Sequence, residues 1–287
     1  MKPIAAFVIL WVLSGPQCKV ARQSSAALFT APIGVQAYTY RNSWANPLAV
    51  FDTIKNLGIT EYEGGTVKGY TAVETRRLLE EQGIHIRSTG TSFETLQDDS
   101  KLKAFINEAK LLGASYIMTA WIPHGKTFET ADAQKAIQVF NKAGKTIRDS
   151  GLTFCYHIHG YEFKPYENGT LFDYMMKNWN PATVSIEIDI MWAYFGGADP
   201  AKLILKYADR MKLMHVKDLR KGVERNDTGL TAVENDVAVG TGQLNIPEIM
   251  KAAKKAGIKH YFIEDESPLH GQQIPETIRY LRNLREF

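Results

Sequence analysis

The sequence predicts a single-domain (β/α)8 barrel, an α/β fold, and two observations support this prediction. Apolar segments typical of strands alternate eight times with stretches long enough for a helix, which implies parallel strand pairing. Eight such units over about 250 residues match the usual size of this barrel. The predicted strands begin near residues 33, 59, 84, 115, 152, 184, 211 and 260.

A repeated order of segments marks the boundaries of most units. In each repeat a polar helical segment ends at a glycine, and an apolar strand follows. The glycine stands where a left-handed helix C-cap belongs. An open doubly wound sheet is the alternative fold, but no Gly-x-Gly-x-x-Gly turn follows the first strand. The repeated glycines are Gly58, Gly83, Gly113, Gly151 and Gly257.

The connection between the seventh strand and its helix, residues 219–245, is unusually long. Long connections in compact domains are often functional, and in a barrel this one lies at the C-terminal face, where active sites are built. We expect the barrel to cover residues 31–287, without a second domain.

Composition limits the kinds of partner. The chain has 287 residues, 45% of them hydrophobic, so it can bury a large core. Its 34 basic and 31 acidic residues give a formal charge of +3 without a basic block, which gives no electrostatic support for nucleic acid binding. We expect a small-molecule substrate and no stable membrane span, and an oligomer is compatible with the sequence.

The N-terminus has the pattern of an export signal. Lys2 precedes an apolar run at residues 4–13, and small residues follow it. The run is too short to span a bilayer comfortably. We therefore predict a leader over residues 1–27 and an exported, periplasmic mature protein. A buried first helix is the alternative.

The two cysteines bear on the same prediction. Cys18 raises the option of a lipid anchor, but Gln17 before it is larger than the residue such a site normally has. Cleavage is therefore favoured over anchoring. After cleavage Cys155 would be the only cysteine, so no intrachain disulfide could form.

Ionisable residues end several predicted strands at similar heights. One buried acid or histidine is more often a satisfied structural group, but several converging strand ends favour a divalent cation, which neutralises clustered carboxylates. Carboxylates mixed with imidazoles suit Mn²⁺, Zn²⁺, Co²⁺ or Fe²⁺ better than Ca²⁺. The residues are Glu63, His157, His159, Asp189, His215, Lys217 and Glu264.

The chain resembles the xylose-isomerase-like barrel superfamily, specifically bacterial proteins labelled sugar phosphate isomerase/epimerase. The resemblance covers roughly residues 31–287. It implies one divalent metal held by a Glu, an Asp, a His and a Glu from strands five to eight, and Asp189, His215 and Glu264 match the last three. The motifs are "GVQAYTYR", "YHIHGYEF", "EIDIMWAYFGGADP", "LMHVKD", "VGTGQLNIPEI" and "YFIEDES".

The sequence departs from this pattern at two positions. His157 stands where the strand-five glutamate belongs, and Trp192 replaces a histidine that many members carry. His157 and His159 are two apart and share one side of the strand, while Glu162 lies beyond the strand end. All three are candidates for the strand-five metal ligand, and we rank Glu162 and His159 ahead of His157.

The resemblance implies a metal-dependent sugar isomerase or epimerase that removes a proton next to a carbonyl through an enediolate. Glu264 is expected to be one base, with His159 or Glu162 opposite it. Lys217 is expected to hold an oxyanion or a substrate hydroxyl, or else to pair with Asp218 or Glu264. The alternatives are a keto-sugar lyase or hydratase acting through the same enolate, and a non-catalytic sugar-binding barrel.

Export favours an unphosphorylated sugar, because phosphosugars are mainly cytoplasmic and no phosphate cradle is evident. Trp121, Trp192 and Tyr194 are candidates to stack on a sugar face, although such aromatics are more commonly part of a core. Glu63 and His157 complete the expected substrate contacts.

Overall fold

The computed structural model describes residues 26–286 and contains a closed barrel of eight parallel strands that pair in chain order. This confirms the predicted fold, and each strand begins within two residues of its predicted start. The strands are β1 (Gly34–Gln36), β2 (Glu61–Glu63), β3 (His85–Gly90), β4 (Tyr116–Thr119), β5 (Thr153–His157), β6 (Ser185–Asp189), β7 (Met211–Val216) and β8 (His260–Ile263).

Helices fill the connections and cover the outside of the barrel. The five repeated glycines have φ angles between 70° and 85°, as expected for left-handed helix ends. Within residues 26–286 no helix is both long and apolar enough to cross a membrane. The helices are α1 (Pro47–Asn56), α2 (Ala72–Glu81), α3 (Phe93–Gln97), α4 (Asp99–Leu112), α5 (Thr130–Asp149), α6 (Leu171–Asn178), α7 (Ile190–Phe195), α8 (Pro200–Lys206), α9 (Ile246–Ala256) and α10 (His270–Asn283).

Side chains alternate along each strand between the helix-covered outside of the barrel and its interior. Phe154 and Tyr156 of β5 point outwards, and their rings lie 5.2 Å from the ring of Phe140 in α5. The intervening residues of β5, Cys155 and His157, therefore point into the barrel. There Cys155 packs with Met118, Leu213 and Phe262 in a separate small apolar cluster.

The long connection after β7 is anchored by Asp218. The carboxylate of Asp218 accepts hydrogen bonds from the backbone N–H groups of Gly240, Gly242 and Leu244 at 2.9–3.1 Å. An added Cβ at Gly242 would lie 2.2 Å from Asp218 Oδ1, so only glycine fits there. Asp218 is thus occupied by the backbone, and the alternative of an Asp218–Lys217 ion pair is wrong.

The predicted leader lies outside the described residues, except for its last two. Ala26 accepts a backbone hydrogen bond from Glu286 at 2.9 Å, and Ala27 forms an isolated antiparallel bridge with Arg285. The start of the described chain is thereby fixed to its C-terminal segment. Export and cleavage stay predictions.

Candidate active site

A cavity of about 720 Å³ opens where the barrel strands end, at the face predicted to carry the site. Its ionisable lining includes His157, His159, His215 and Glu264, which the sequence predicted to converge. Residues 229–231 of the long connection also line it. The structure therefore brings strands β5, β7 and β8 and this connection together around one space.

The imidazole of His215 lies between two layers of carboxylates. Its Nε2 atom is 2.6 Å from Glu63 Oε1, deeper in the barrel. Its Nδ1 atom is 3.3 Å from Glu264 Oε2 and 3.9 Å from Asp189 Oδ2, nearer the mouth. Glu63 also accepts a 2.6 Å hydrogen bond from Gln36, so Glu63 is held in place from β1.

His157 repeats this arrangement on the neighbouring side. Its Nδ1 atom is 3.2 Å from Glu187 Oε2, and its Nε2 atom is 3.9 Å from Asp189 Oδ2. A carboxylate on one ring nitrogen fixes the ring orientation and leaves the other nitrogen for a metal. His157 and His215 therefore each direct one nitrogen to the same oxygen of Asp189.

Asp189 supplies the observation that favours a cation. Its Oδ1 atom accepts a 2.9 Å hydrogen bond from Trp192 N and caps α7, whereas its buried Oδ2 atom has no hydrogen-bond partner among the described residues. Burial raises the pKa of Asp189 to about 7 although Lys217 and His215 oppose this. An orphaned buried carboxylate oxygen is costly, and a bound cation removes that cost.

The donor atoms have the composition and spacing of a metal site. One atom each from His157, Asp189 and His215 lies within 4.8 Å of the others. Metal–ligand bonds of about 2.0–2.2 Å would place such atoms at comparable separations. A carboxylate with two imidazoles suits Zn²⁺ and similar transition metals. Glu63, Glu187 and His215 form a second, deeper group of this kind.

Glu187 is the site residue that the sequence prediction missed. It is completely buried, and burial together with the charge of Glu63 raises its pKa well above the ordinary value. Burial disfavours a charged His215, but Glu187 and Glu63 outweigh this and raise its pKa. The alternation of side chains along a strand could have predicted Glu187 as a site residue, because it stands two residues before Asp189 on β6 and faces the same side.

Lys217 neutralises carboxylates and does not line the cavity. Its Nζ atom lies 2.8 Å from Glu266 Oε1, 3.1 Å from Glu264 Oε2 and 3.5 Å from Asp236 Oδ2. Burial raises the pKa of Glu264, but Lys217 and His215 outweigh it and hold that pKa well below its usual range. The expected Lys217–Glu264 ion pair is present, whereas direct contact with substrate is not indicated.

His159 lines the cavity with an unpartnered nitrogen. Its ring stacks on Trp192 at a centroid distance of 5.4 Å and meets the edge of Trp121 at 5.5 Å. Its Nδ1 atom is buried without a hydrogen-bond partner among the described residues. Burial lowers the pKa of His159 to about 4, so the imidazole is neutral at neutral pH.

Glu162 does not reach the cluster, so its placement does not match the expected role as metal ligand or base. Its carboxylate accepts a hydrogen bond from the Tyr156 hydroxyl and another, of 3.0 Å, from the backbone N–H of His159. The chain turns after β5 through Gly160, with a φ of 95°, and this turn folds Glu162 back under the strand. Of the three strand-five candidates, the structure brings His157 to Asp189 and His215.

The remaining expected substrate contacts divide into two groups. Trp121 and Trp192 line the cavity, as predicted. Glu63 lies below it, bonded to His215, and Tyr194 is covered by the Arg225 guanidinium at 4.8 Å. Neither Glu63 nor Tyr194 is placed to contact a molecule in the cavity.

The fold and this cluster define a barrel of the xylose isomerase type. Residues 51–284 match the sequence profile of the family described as "Xylose isomerase-like TIM barrel", and the chain belongs to that family.

An inosose dehydratase from Geobacillus kaustophilus is 25% identical over 194 residues, which are 61% of this chain and 62% of that protein. The chain thus spans about three fifths of the length of that curated relative. A sugar phosphate isomerase/epimerase structure from Parabacteroides distasonis superposes with a TM-score of 0.73 at 21% identity, covering 91% of this chain and 98% of that one.

A structure of the IOLI protein with a bound zinc atom superposes with a TM-score of 0.68 at 12% identity, covering 87% of this chain and 95% of that one. At such identities the two structural likenesses show a shared fold.

We predict that Lys217→Met lowers the free energy of unfolding by about 3–5 kcal/mol at neutral pH, because it leaves buried carboxylates without their cation. Since the pKa of Glu264 is depressed, its charge stabilises the fold fully above the ordinary value of 4.5 and progressively less as the pH falls through the folded value. The difference from wild type should therefore shrink in acid. Urea denaturation with a chelator present measures it.

Lys202→Met is the matched control, because the Lys202 side chain is 83% exposed and pairs only at the surface with Asp199. It should change the free energy of unfolding by less than about 0.5 kcal/mol. Equal effects of the two substitutions at neutral pH would show that the buried ion pairs do not stabilise the fold.

Proposed function

We propose that this protein is a divalent-metal-dependent enzyme that removes a proton next to the carbonyl of a sugar or keto-sugar, and that loss of water completes the reaction. The proposal rests chiefly on Asp189 Oδ2, a buried oxygen that has no hydrogen-bond partner within residues 26–286 and lies 3.9 Å from the imidazoles of His157 and His215. A bound zinc in the IOLI protein and the dehydratase relative support the same chemistry.

His157, Asp189 and His215 would hold the cation, with Glu264 beside them. When bound, it would polarise a substrate carbonyl and stabilise the enolate charge. Glu187 and Glu63 hold His157 and His215 from below and direct one nitrogen of each towards Asp189. This assignment takes His157 as the strand-five ligand, in place of Glu162.

His159 is the base in this proposal. Its neutral imidazole lines the cavity, and its buried Nδ1 atom has no hydrogen-bond partner in the part of the chain that the structure describes. Glu264, the base expected from the resemblance, is already hydrogen-bonded with His215 and Lys217 and is better suited to charge balance. The stack on Trp192 holds the His159 ring in position.

A single free base favours elimination over epimerisation. The imidazole of His159 takes the proton from the carbon next to the carbonyl, and the electron pair of that C–H bond enters the enolate. The carbonyl then re-forms and the enolate electron pair makes a C=C bond to the next carbon, whose C–O bond breaks. The imidazolium gives its proton to the departing hydroxyl, and water leaves. Epimerisation needs a second base on the opposite face, and Glu264 is the residue that would have to supply it.

We predict that Glu162→Gln leaves Zn²⁺ affinity unchanged, that Glu187→Gln lowers it by about 10–100-fold, and that Asp189→Asn lowers it further. The order follows from geometry, because Glu162 faces Tyr156, Glu187 supports His157, and Asp189 is a proposed ligand. Competition with a chromophoric chelator measures each affinity, after circular dichroism has shown that each variant is folded. A larger loss of Zn²⁺ affinity in Glu162→Gln than in Asp189→Asn would contradict this assignment and show that Glu162 is the strand-five ligand, as expected from the sequence.

We predict that His159→Phe slows deuterium incorporation from D₂O into substrate by about 10²–10⁴-fold while leaving metal affinity unchanged, because phenylalanine keeps the ring stack and removes the base. Nuclear magnetic resonance of keto-sugars, including an inosose, follows both exchange and product. A product that has lost water identifies a lyase, and a stereoisomer identifies an epimerase.

His124→Phe is the matched control, since His124 also stacks on Trp121, at 4.8 Å, but does not line the cavity. It should exchange at the wild-type rate. Wild-type exchange in His159→Phe together with its loss in Glu264→Gln would make Glu264 the base.

A further inference from the structure

The opening of the cavity has an apolar rim that the proposed chemistry does not use. Tyr38, Trp121 and Leu230 line it and are 52%, 38% and 67% exposed. They come from three different connections, after β1, β4 and β7. Of the eight large hydrophobic side chains exposed within residues 26–286, three surround this one opening, so the apolar surface is concentrated there.

Leu230 is held over the opening by its neighbours. Gly229 has a φ of 68°, and an added Cβ there would lie 2.7 Å from the Tyr161 ring and 3.1 Å from His159 O. The connection after β7 therefore packs tightly against the end of β5. Thr228 Oγ1 accepts a hydrogen bond from Leu230 N at 3.2 Å and fixes the turn.

The two aromatic side chains of the rim are also held in place. Trp121 stacks on His124 and meets the edge of Tyr161 at 5.0 Å. Tyr38 lies under the Arg41 guanidinium at 4.6 Å, and Arg41 donates a 2.8 Å hydrogen bond to Glu266 O. Exposed aromatic side chains held rigidly bind a flat ligand at a low cost in conformational entropy.

The cavity is larger than one sugar ring requires. Its volume of about 720 Å³ lies well within the range of about 300–1,000 Å³ typical of sites for drug-sized ligands. A single sugar ring beside His157, His159 and His215 would contact Trp121, whose ring meets that of His159, and would leave the more exposed Tyr38 and Leu230 uncovered. A second ring attached to that sugar would reach them.

We infer that the rim binds a planar, mostly apolar group attached to the sugar, so that the substrates are aryl glycosides of oxidised sugars and not free monosaccharides. This inference rests on the proposed function for the position of the sugar ring. An aryl group fits better than a second sugar, because the rim side chains are largely apolar and the polar side chains of the same lining are already engaged. Arg41 bonds to Glu266 O, Asp236 and Glu266 pair with Lys217, and Thr231 bonds to Asn235.

The test compares phenyl β-glucoside with methyl β-glucoside, two stable probes that need no turnover. Isothermal titration calorimetry of the metal-loaded full chain should show the phenyl glycoside binding about 10–30-fold more tightly, as expected for burial of one aromatic ring. Leu230→Ser and Tyr38→Ser should each reduce this preference several-fold. Leu205→Ser, at a leucine on α8 that is 45% exposed, should leave it unchanged.

Equal affinity for the two glycosides, or no binding of either, would overturn the inference. Tighter binding of cellobiose than of phenyl glucoside would also overturn it, in favour of a second sugar ring. A preference for phenyl glucoside that persists while no substrate shows deuterium exchange would support the rim subsite and reject the proposed reaction, so the two failures are distinguishable.

Discussion

The arrangement of the site depends on one buried oxygen, Asp189 Oδ2, which lies 3.9 Å from a nitrogen of each of two imidazoles. A carboxylate in this position must be compensated, because an unpaired buried charge costs several kcal/mol. The protein surrounds it with groups that balance charge in layers: Glu63 and Glu187 below the histidines, and Lys217 beside Glu264 above them. A cation at Asp189 is the component that would complete this balance.

The barrel supplies that layering through strand alternation and register. Asp189 pairs with His215, and His157 pairs with Glu187, across adjacent parallel strands. Inward-facing residues of adjacent strands thus become neighbours although they are far apart in the chain. Below them, the side chains of Met118, Cys155, Leu213 and Phe262 pack together as an apolar cluster inside the barrel.

Much of this could be predicted from the sequence, because strand periodicity and barrel geometry are local rules. All eight strand positions and the convergence of His157, His159, His215 and Glu264 follow from them. The conformation of Glu162 could not be predicted, because it depends on the turn at Gly160, which brings the carboxylate back to the hydroxyl of Tyr156 six residues earlier. Because Glu162 is turned away from the cluster, His157 is the strand-five residue that faces Asp189.

Dependence on contacts between separate segments also explains two other differences between the sequence prediction and the structure. Glu187 follows the alternation that located Asp189, but its value as a support for His157 depends on a contact between β5 and β6. Lys217 ends a strand and was therefore expected to contact substrate, yet three carboxylates from two connections surround it. In each case the deciding partner lies far away in sequence, where a single chain gives no signal.

X-ray absorption spectroscopy of the zinc-loaded protein would identify the metal ligands, because imidazole ligands give a distinctive outer-shell scattering pattern. We predict two imidazoles at Zn–N distances of about 2.0–2.1 Å, with oxygen ligands completing the coordination sphere. A spectrum with a single imidazole, or with oxygen ligands alone, would contradict the assignment of His157 and His215 to the metal.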